Sequence, residues 1–537
     1  AQSAHDNFWD FVSLSPESTH MLMWVMSDRA IPRSYRMMEG FGVHSFRFVN
    51  EKGKACFVKF HWKPLLGVHS IVWDEAQRIS GVDPDFHRRD LWESIENGDF
   101  PEWELGVQIV EEKDEFSFDF DILDPTKLIP EEIVPVQRIG KLTLNRNPDN
   151  FFAETEQVAF HLGNIVTGID FTNDPLLQGR LFSYTDTQLL RLGGPNFHEI
   201  PINRPIAPVH NNQRDGLSRQ TINRGTTAHI PNSVAGGCPF QAGKDMRGFI
   251  SYAEKVDGNK IRDRSKSFLD HYTQARMFWL SMSEPEQNHI VQAFSFELSK
   301  CVHIEIQERM LLQLAQVDAD LCARVAVGLG LKPKAKNAKV EPYLNMQVPS
   351  TANPKDYQSV PTKMDVAPSP ILSIVNAPPS GIRTRKVAAL AADGVREADI
   401  TKMKNALKKE GAQLKIVGAH AGVLKTLEGT ELPVDHALFS SSSVTFDAVF
   451  VPGGEESVET LLGIGKSVHF INEAFKHLKT VGASGEGTKI LQKSCIGEKL
   501  ADAPGVVSGK GDVSKAFIEA MYLDRHWTRE LDIEPPV

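Results

Sequence analysis

One tyrosine in this chain stands between two arginines at helical spacing. Tyr184 has Arg180 four residues before it and Arg191 seven residues after it. With about 3.6 residues per turn, the three positions fall on one helical face. A cation one turn away stabilises a phenolate, which is a hard anionic ligand suited to ferric iron, and tyrosine is one of the few proximal ligands that haem proteins use. The alternative is a tyrosine that only packs in the core of an amphipathic helix.

Other side chains could support such a ligand. His61 lies near the end of a predicted strand, and Asp174 lies six residues before Arg180. Together they would form a hydrogen-bonded relay that orients the arginine toward the tyrosine oxygen. His161 could be another supporting group, and Arg191 could bind a haem propionate, because guanidinium binds carboxylates bidentately. The alternatives are a satisfied strand histidine, a loop histidine and half of a surface ion pair.

A second candidate site lies near the C-terminus. Ser484, in VGASGEG, follows a predicted strand as the residue of a nucleophile elbow would. It has no evident activating base, so nucleophilic catalysis is not favoured. The nearby glycine turn VPGG is of a kind that is as often structural as phosphate-binding.

The elements that position these residues change in type along the chain. HSFRFVN and ACFVKFHW alternate about the turn NEKGK and predict an antiparallel hairpin, and WELGVQIV and KLTLNR predict further strands. From about residue 147 to 259 regular periodicity is weak apart from a short helix holding Tyr184, which is typical of a wrapping segment. A pair of amphipathic helices and a proline-rich linker follow. Alternating strands and helices then predict a parallel, doubly wound sheet.

Composition excludes several classes of protein. The 59 Lys and Arg against 69 Asp and Glu give a net charge of -10, so no nucleic acid or anionic membrane partner is expected. No apolar run is long enough to cross a bilayer, no signal-peptide pattern is present, and the compartment is left open. The five cysteines lack CxxC spacing, so neither a cysteine zinc site nor a disulfide framework is expected.

Several long strings together resemble the monofunctional haem catalases, from Ala1 to about Leu331: RLFSYTDTQLLRLGGPNFHEIPINRP, LNRNPDNFFAETEQVAFH, DPDFHRRDLW, MEGFGVHSFRFVN, FVKFHWKPLLG and NNQRDG. The additional C-terminal block resembles that of large-subunit catalases, whose flavodoxin-like domain is related to the class I glutamine amidotransferase and DJ-1 families.

The resemblance implies an α+β catalase core, with part of an antiparallel β-barrel, a wrapping segment and a helical domain, followed by an α/β flavodoxin-like domain. The expected divisions are 1–147 for the second half of the barrel domain with a helical insertion, 148–262 for the wrapping segment with the proximal haem helix, 263–331 for the helical domain, 332–380 for the linker and 381–537 for the flavodoxin-like domain.

The resemblance also implies roles for individual residues. Tyr184 is expected to be the proximal iron ligand, Arg180 its hydrogen-bonding cation, and Arg191 a propionate partner. His61 and Asp174 are expected to form the relay behind Arg180. The remaining expected pocket residues are Phe160, His161 and Gln188.

Some departures from the small-subunit pattern bear on the cofactor. Gln188 and His161 resemble members with a modified, flipped haem d, and in some of these the matching histidine is covalently joined to the tyrosine. The expected cofactor is therefore haem, either haem b or the modified haem d. Glu131 stands where small-subunit members carry a histidine that helps to hold NADPH, and an acidic side chain would repel its phosphate, so no NADPH is expected. Leu162 stands where the family frequently has a proline after His161, so the resemblance does not predict the conformation of this proximal loop.

The distal side is the largest departure. The family's distal histidine, serine and asparagine have no match here and are expected upstream of Ala1, so this chain is expected to hold no catalytic acid/base residue, and the missing N-terminal portion of the subunit would supply it. The expected activity is that of a catalase, converting hydrogen peroxide to water and dioxygen through a ferryl porphyrin radical in a homotetramer. In the appended domain Ser484 stands where the related hydrolases have a cysteine, so a structural or channel-forming role is expected there rather than amidotransferase or peptidase activity. The alternative function for the chain is a non-haem scaffold or chaperone-like protein built around the DJ-1-like domain.

Overall fold

The computed structural model describes residues 5–206, 214–234, 243–259, 261, 263–334, 348, 350–497 and 501–532. Parts of the predicted wrapping segment and of the predicted linker lie outside these ranges. The strands are β1 (Gly40–Phe41), β2 (Phe46–Val49), β3 (Ala55–Pro64), β4 (Glu102–Glu111), β5 (Gln137–Thr143), β6 (Ile169–Asp170), β7 (Lys386–Ala391), β8 (Gln413–Gly418), β9 (Val423–Lys425), β10 (Glu431–Pro433), β11 (His436–Ala437), β12 (Ala448–Val451), β13 (Thr480–Ser484) and β14 (Val506–Gly509).

The helices are α1 (Asp6–Ser13), α2 (Thr19–Val25), α3 (Trp73–Val82), α4 (Phe86–Glu96), α5 (Pro175–Arg191), α6 (Thr273–Ser281), α7 (Glu284–Leu298), α8 (Ile304–Val317), α9 (Ala319–Gly328), α10 (Glu397–Lys409), α11 (Glu455–Leu462), α12 (Gly465–Lys476), α13 (Thr488–Lys493), α14 (Ser514–Met521) and α15 (Thr528–Asp532). Among the described residues, no helix is both long and apolar enough to cross a membrane.

An antiparallel sheet forms the first half of the described fold, in the order β5-β4-β3-β2-β6, with β1 also paired to β3. The predicted hairpin is confirmed: Phe46 lies opposite Val58 and Val49 opposite Ala55. Gly53 in the connecting turn has φ +76°, a conformation that glycine adopts without steric cost. The pairing of β2 with β6 brings the segment that leads into α5 beside the start of the hairpin.

Helix α5 carries Tyr184 and begins with a strong cap. The buried Asp174 accepts hydrogen bonds from the backbone N–H groups of Leu176 and Leu177, and Pro175 occupies the first turn, where its missing N–H costs nothing. The helix is longer than the short one predicted. Only Leu177 and Gln188 among its residues are buried, so most of its surface is open.

Two further layers complete the fold. Helices α6 to α9 pack with α1 and α2 around an apolar core that includes Trp9, Phe278 and Phe294, and the predicted pair of helices corresponds to α8 and α9. The C-terminal strands form a sheet in the order β11-β8-β7-β12-β13-β14. The pairs within that sheet are parallel, as the alternating pattern predicts.

Buried charges join the C-terminal sheet to the rest of the chain. Arg33 donates to both carboxylate oxygens of Asp447, at 2.6 and 3.0 Å. Arg385 lies 3.2 Å from Asp447 and 2.8 Å from Asp524, and Asp524 in turn lies 3.0 Å from His69. Positive and negative groups therefore alternate along this junction.

Candidate active site

A continuous hydrogen-bonded relay leads from the sheet to Tyr184. The Asp174 carboxylate lies 2.5 Å from Nδ1 of His44, and both side chains are buried. Nε2 of the same histidine lies 2.8 Å from Nη1 of Arg180. The other terminal nitrogen of Arg180 donates to the Tyr184 hydroxyl oxygen. The guanidinium also lies over the tyrosine ring, 4.8 Å from its centroid.

The chemistry of arginine determines the direction of every bond in this relay. A guanidinium only donates, so Nε2 of His44 must be an acceptor. The proton of His44 is then on Nδ1, which donates to Asp174. At the other end the Tyr184 oxygen also accepts. The relay therefore aims a positive charge and an N–H group at the phenol oxygen, an arrangement that suits a phenolate.

The prediction that His61 stands behind Arg180 is wrong, because His44 takes that place. His61 is in β3, where its Nε2 lies 2.8 Å from the side-chain oxygen of Gln108 on β4, and burial lowers its pKa. The reason is sheet order: β6, which leads to Asp174, pairs with β2, and His44 lies two residues before β2. His44 lies in the string MEGFGVHSFRFVN, but the sequence contains no local signal that separates the two histidines.

His161 approaches Tyr184 from the side of the ring. The two rings are edge to face, with centroids 6.3 Å apart. The backbone N–H of Gly163 donates to Nδ1 of His161, so the ring proton is on Nε2, which lies 2.9 Å from the Thr185 hydroxyl and 3.1 Å from the Leu181 carbonyl. These contacts hold the imidazole beside the phenol.

Gln188 and Arg191 tie the end of α5 to the preceding segment. The buried Gln188 donates to the Phe160 carbonyl at 3.1 Å and accepts from Arg191 at 2.5 Å. Arg191 also donates to the carbonyls of Glu156 and Val158 at 2.8 and 2.6 Å. These contacts use three of the five guanidinium N–H groups. The Phe160 ring is 73% exposed, which leaves an open apolar surface beside the helix.

The donor set fits a haem iron. An oxygen that accepts from a fixed guanidinium supplies negative charge to a metal, and the half-buried Tyr184 lies on a helix whose surface is mostly open. The exposed Phe160 ring is apolar surface of the kind that could face a porphyrin, and Arg191 has N–H groups left that could bind a carboxylate.

The C-terminal candidate is different. The sharp backbone bend after β13 is at Gly485, with φ +51°, and not at Ser484. The Ser484 hydroxyl donates to Asp399 at 2.7 Å, and the same carboxylate oxygen accepts the Gly453 N–H at 2.9 Å. Glu486 likewise accepts from the Gly454 N–H at 3.0 Å. In the described part of the chain these donors of a would-be anion site are therefore used by carboxylates of the domain itself.

Three family models match successive parts of the chain. Residues 1–236 match the family model described as catalase, and residues 265–329 match the model described as catalase-related immune-responsive. Residues 383–530 match the model described as the C-terminal domain found in long catalases.

Curated relatives agree with the family models. The chain is 52% identical to the catalase of Alkalihalophilus pseudofirmus, over 98% of this chain and 74% of that protein. It is 53% identical to catalase HPII of Pseudomonas aeruginosa, over 98% of this chain and 71% of that protein. The catalase-1 of Neurospora crassa is 42% identical over 99% of this chain and 72% of its own length.

With this similarity, and with a tyrosine held by an arginine relay whose inner members are buried, the chain belongs to the large-subunit catalase family, haem enzymes that decompose hydrogen peroxide to water and dioxygen.

Proposed function

We propose that Tyr184 is the proximal ligand of the haem iron in this catalase. The observation that carries the proposal is the relay from Asp174 through His44 and Arg180 to the phenol oxygen. When bound, the haem supplies the iron that exchanges electrons with peroxide. Tyr184 donates charge to that iron, and Arg180 limits the donation by holding part of the negative charge in its hydrogen bond.

The relay residues act by staying still. Asp174 is held by backbone N–H groups at the start of α5, so its second oxygen keeps His44 in one tautomer. His44 in turn keeps Arg180 aimed at Tyr184. Arg191, fixed by the carbonyls of Glu156 and Val158, would place its remaining N–H groups toward a propionate. The prediction that the distal acid/base residues lie upstream of Ala1 stays a prediction.

The experiment that tests the ligand is Tyr184→Phe, which removes only the oxygen. We expect loss of haem from the purified protein, seen as a missing Soret band, and loss of oxygen release from peroxide. Tyr522→Phe is the matched control, because it removes a hydroxyl that donates to Glu410, far along the chain. A Tyr184→Phe protein with full haem content and activity would contradict the assignment.

The haem is proposed to be the modified d form. His161 and Gln188 support this, since His161 lies against the proximal helix, Gln188 belongs to it, and hydrogen bonds hold both side chains. A covalent bond between His161 and Tyr184 is part of the proposal, supported by the edge-to-face ring contact at 6.3 Å. Peptide mapping by mass spectrometry tests it: unmodified His161 and Tyr184 peptides would contradict the bond. Pyridine haemochrome spectra separate haem b from haem d.

Binding of NADPH is not expected. Glu131 forms an ion pair with Lys63, and the cavity beside them has a volume of only about 20 Å³. Ser369, Ile371 and Leu372 from the predicted linker line that cavity. A carboxylate repels phosphate, and a nucleotide needs a pocket of roughly 300 Å³ or more. Calorimetric titration with NADPH should therefore show no saturable binding.

A homotetramer and a flavodoxin-like C-terminal domain complete the proposal. The open surface of α5 includes Phe182 and Leu190, each 78% exposed, and apolar area of this kind favours burial against other subunits. The parallel sheet with helices supports the flavodoxin-like assignment, and the use of Ser484 within its own domain supports a structural role there. Sedimentation of the holoenzyme tests the tetramer.

The alternative of a non-haem scaffold or chaperone-like protein is not favoured. It predicts neither a Soret band nor peroxide-dependent oxygen release, whereas the matched family models and relatives are catalases along the whole chain.

A further inference from the structure

A buried lysine contacts the segment that carries the relay histidine. Lys59, in β3, is 3% exposed, and its ammonium donates to the carbonyl oxygens of Val43 at 3.2 Å and of Lys127 at 2.9 Å. In the described part of the chain no carboxylate lies within ion-pair distance of it. Burial lowers the pKa of Lys59 to about 8. A buried cation held only by carbonyls is costly, and its retention calls for a reason.

Its first contact fixes the segment that carries His44. Val43 immediately precedes His44, so the bond from Lys59 holds the peptide on one side of the histidine. On the other side, the Ser45 hydroxyl donates to the Ile122 carbonyl at 2.7 Å, and the Ser45 carbonyl accepts from Thr172 at 2.6 Å. Lys59 is therefore one of the groups that hold the backbone around the relay histidine.

The charge of Lys59 acts in the same direction. Burial opposes the charge of the ammonium, and Asp124, Asp174 and Asp121 favour it, while Lys127 opposes it. The attraction is mutual, so Lys59 stabilises the carboxylate of Asp174.

We propose that Lys59 is a positioning residue of the proximal site: its ammonium holds the carbonyl before His44 and backs the Asp174 carboxylate, so that His44 keeps the tautomer that accepts from Arg180. The inference rests on the proposed role of Tyr184. The competing reading is that Lys59 only satisfies two backbone carbonyls and supports the fold.

Two substitutions separate these readings. Lys59→Gln keeps an amide that can donate to the carbonyls but removes the charge, and Lys59→Met removes both. Changes behind a metal ligand usually cost about 10- to 100-fold in affinity or activity. We expect Lys59→Gln to lose haem about tenfold more readily and to change the absorption bands of the bound haem. Lys59→Met should do the same and also speed hydrogen exchange of residues 42–47. If Lys59→Met does not fold, Lys59→Gln decides the question.

A double-mutant cycle with His44→Gln shows whether Lys59 acts through the histidine. We expect the double variant Lys59→Gln/His44→Gln to retain haem no worse than His44→Gln alone. Additive losses, or a Lys59→Gln protein with wild-type spectrum and haem content, would overturn the proposal. Lys54→Met is the matched control, because Lys54 lies just before the same strand and its side chain is 70% exposed.

The outcome for Tyr184→Phe keeps the two proposals apart. If that variant retains haem, the proximal assignment fails. If it loses haem while Lys59→Gln matches the wild type, only the role of Lys59 fails.

Discussion

Two regions of this catalase carry residues of the kinds found in active sites, and they use them in opposite ways. In the relay of α5 each group is oriented by the one behind it, and the last group, Tyr184, is half-buried on a largely open helix. At the bend after β13, Ser484 and the N–H groups of Gly453 and Gly454 all bond to carboxylates of the same domain.

The difference shows what makes a polar cluster a site. A group acts on a ligand only when its support is complete and its own reactive atom still has bonding capacity. Tyr184 meets both conditions, since its oxygen accepts one hydrogen bond and keeps other lone pairs. At the elbow of the C-terminal domain, the Ser484 hydroxyl and the N–H groups of Gly453 and Gly454 already donate to carboxylates of the same domain, so these donors stabilise the domain and are not directed at a ligand.

The largest expected effect concerns the junction and not the haem. Asp447→Asn removes the carboxylate that pairs with Arg33 at 2.6 Å and leaves Arg385 with only Asp524, which should cost about 3–5 kcal/mol in free energy of unfolding. Burial alone would raise the pKa of Asp447, but Arg33 and Arg385 hold it far below its usual range. The Asp447 carboxylate therefore contributes fully to the free energy of unfolding at pH values above the ordinary pKa of aspartate. This contribution is lost only in strong acid.

Denaturant unfolding at neutral pH measures this loss, and the Soret band of the folded variant is the second readout. Haem content equal to that of the wild type is expected. A folded Asp447→Asn protein that had lost its haem would show that the junction also shapes the proximal site.

The next effect separates the two histidines. His44→Gln should reduce haem retention and peroxide decomposition about 10- to 100-fold, because Arg180 loses the group that orients it. His61→Gln should leave both unchanged, since His61 contacts Gln108 and not the relay. Oxygen release and haem content of the two purified variants test this directly. Equal losses in both would return His61 to the site.

A pH dependence is expected from His289, which links Asp28 to Glu530 of the C-terminal domain at 2.8 Å on each side. Burial alone would lower its pKa, but the two carboxylates raise it to about 10. Because the pKa is raised, the ion pairs of His289 contribute fully to the free energy of unfolding below about pH 6.5. This contribution is lost as the pH rises through 10. Each pKa unit corresponds to about 1.4 kcal/mol, so the expected loss of unfolding free energy over that window is on the order of a few kcal/mol.

Unfolding experiments across pH 7 to 10.5 on the wild type and on His289→Gln check this window. The difference between the two proteins should shrink as the pH rises. A difference that stays constant would mean that His289 contributes by packing and not by charge.

The smallest effect is expected at the elbow. Ser484→Ala removes one hydrogen bond to Asp399 and should cost about 1 kcal/mol in unfolding free energy. Peroxide decomposition and haem content should not change. Loss of activity without loss of haem would mean that the C-terminal bend communicates with the proximal site, contrary to the comparison above.

Local features were predictable because local rules produce them. The β2–β3 hairpin follows from alternation about a glycine turn, and the C-terminal strands and helices follow from their separate periods. The placement of Arg180 on Tyr184 is also local, because residues four apart on a helix are neighbours. The length of α5 was underestimated, because its exposed face gives little apolar periodicity.

Non-local features were not predictable in this way. His44 lies just before β2 and His61 lies within β3 of the same hairpin, and nothing within either string tells which of them faces Asp174. The answer depends on β2, and not β3, pairing with β6, a contact between segments more than 100 residues apart. The same holds for Lys59, whose partners at Val43 and Lys127 come together only in the folded sheet.

The sequence by itself determined the kind of chemistry: a tyrosine with an arginine one turn before it, an aspartate six residues before that arginine and the order of the elements around them. Tertiary structure decided which histidine completes the relay, that a buried lysine lies beneath it, and that Ser484 is used within its own domain. The physical reason is the distance along the chain over which each interaction acts. Helical spacing and capping act over a few residues, whereas a buried hydrogen-bond relay needs the sheet register that brings distant segments together.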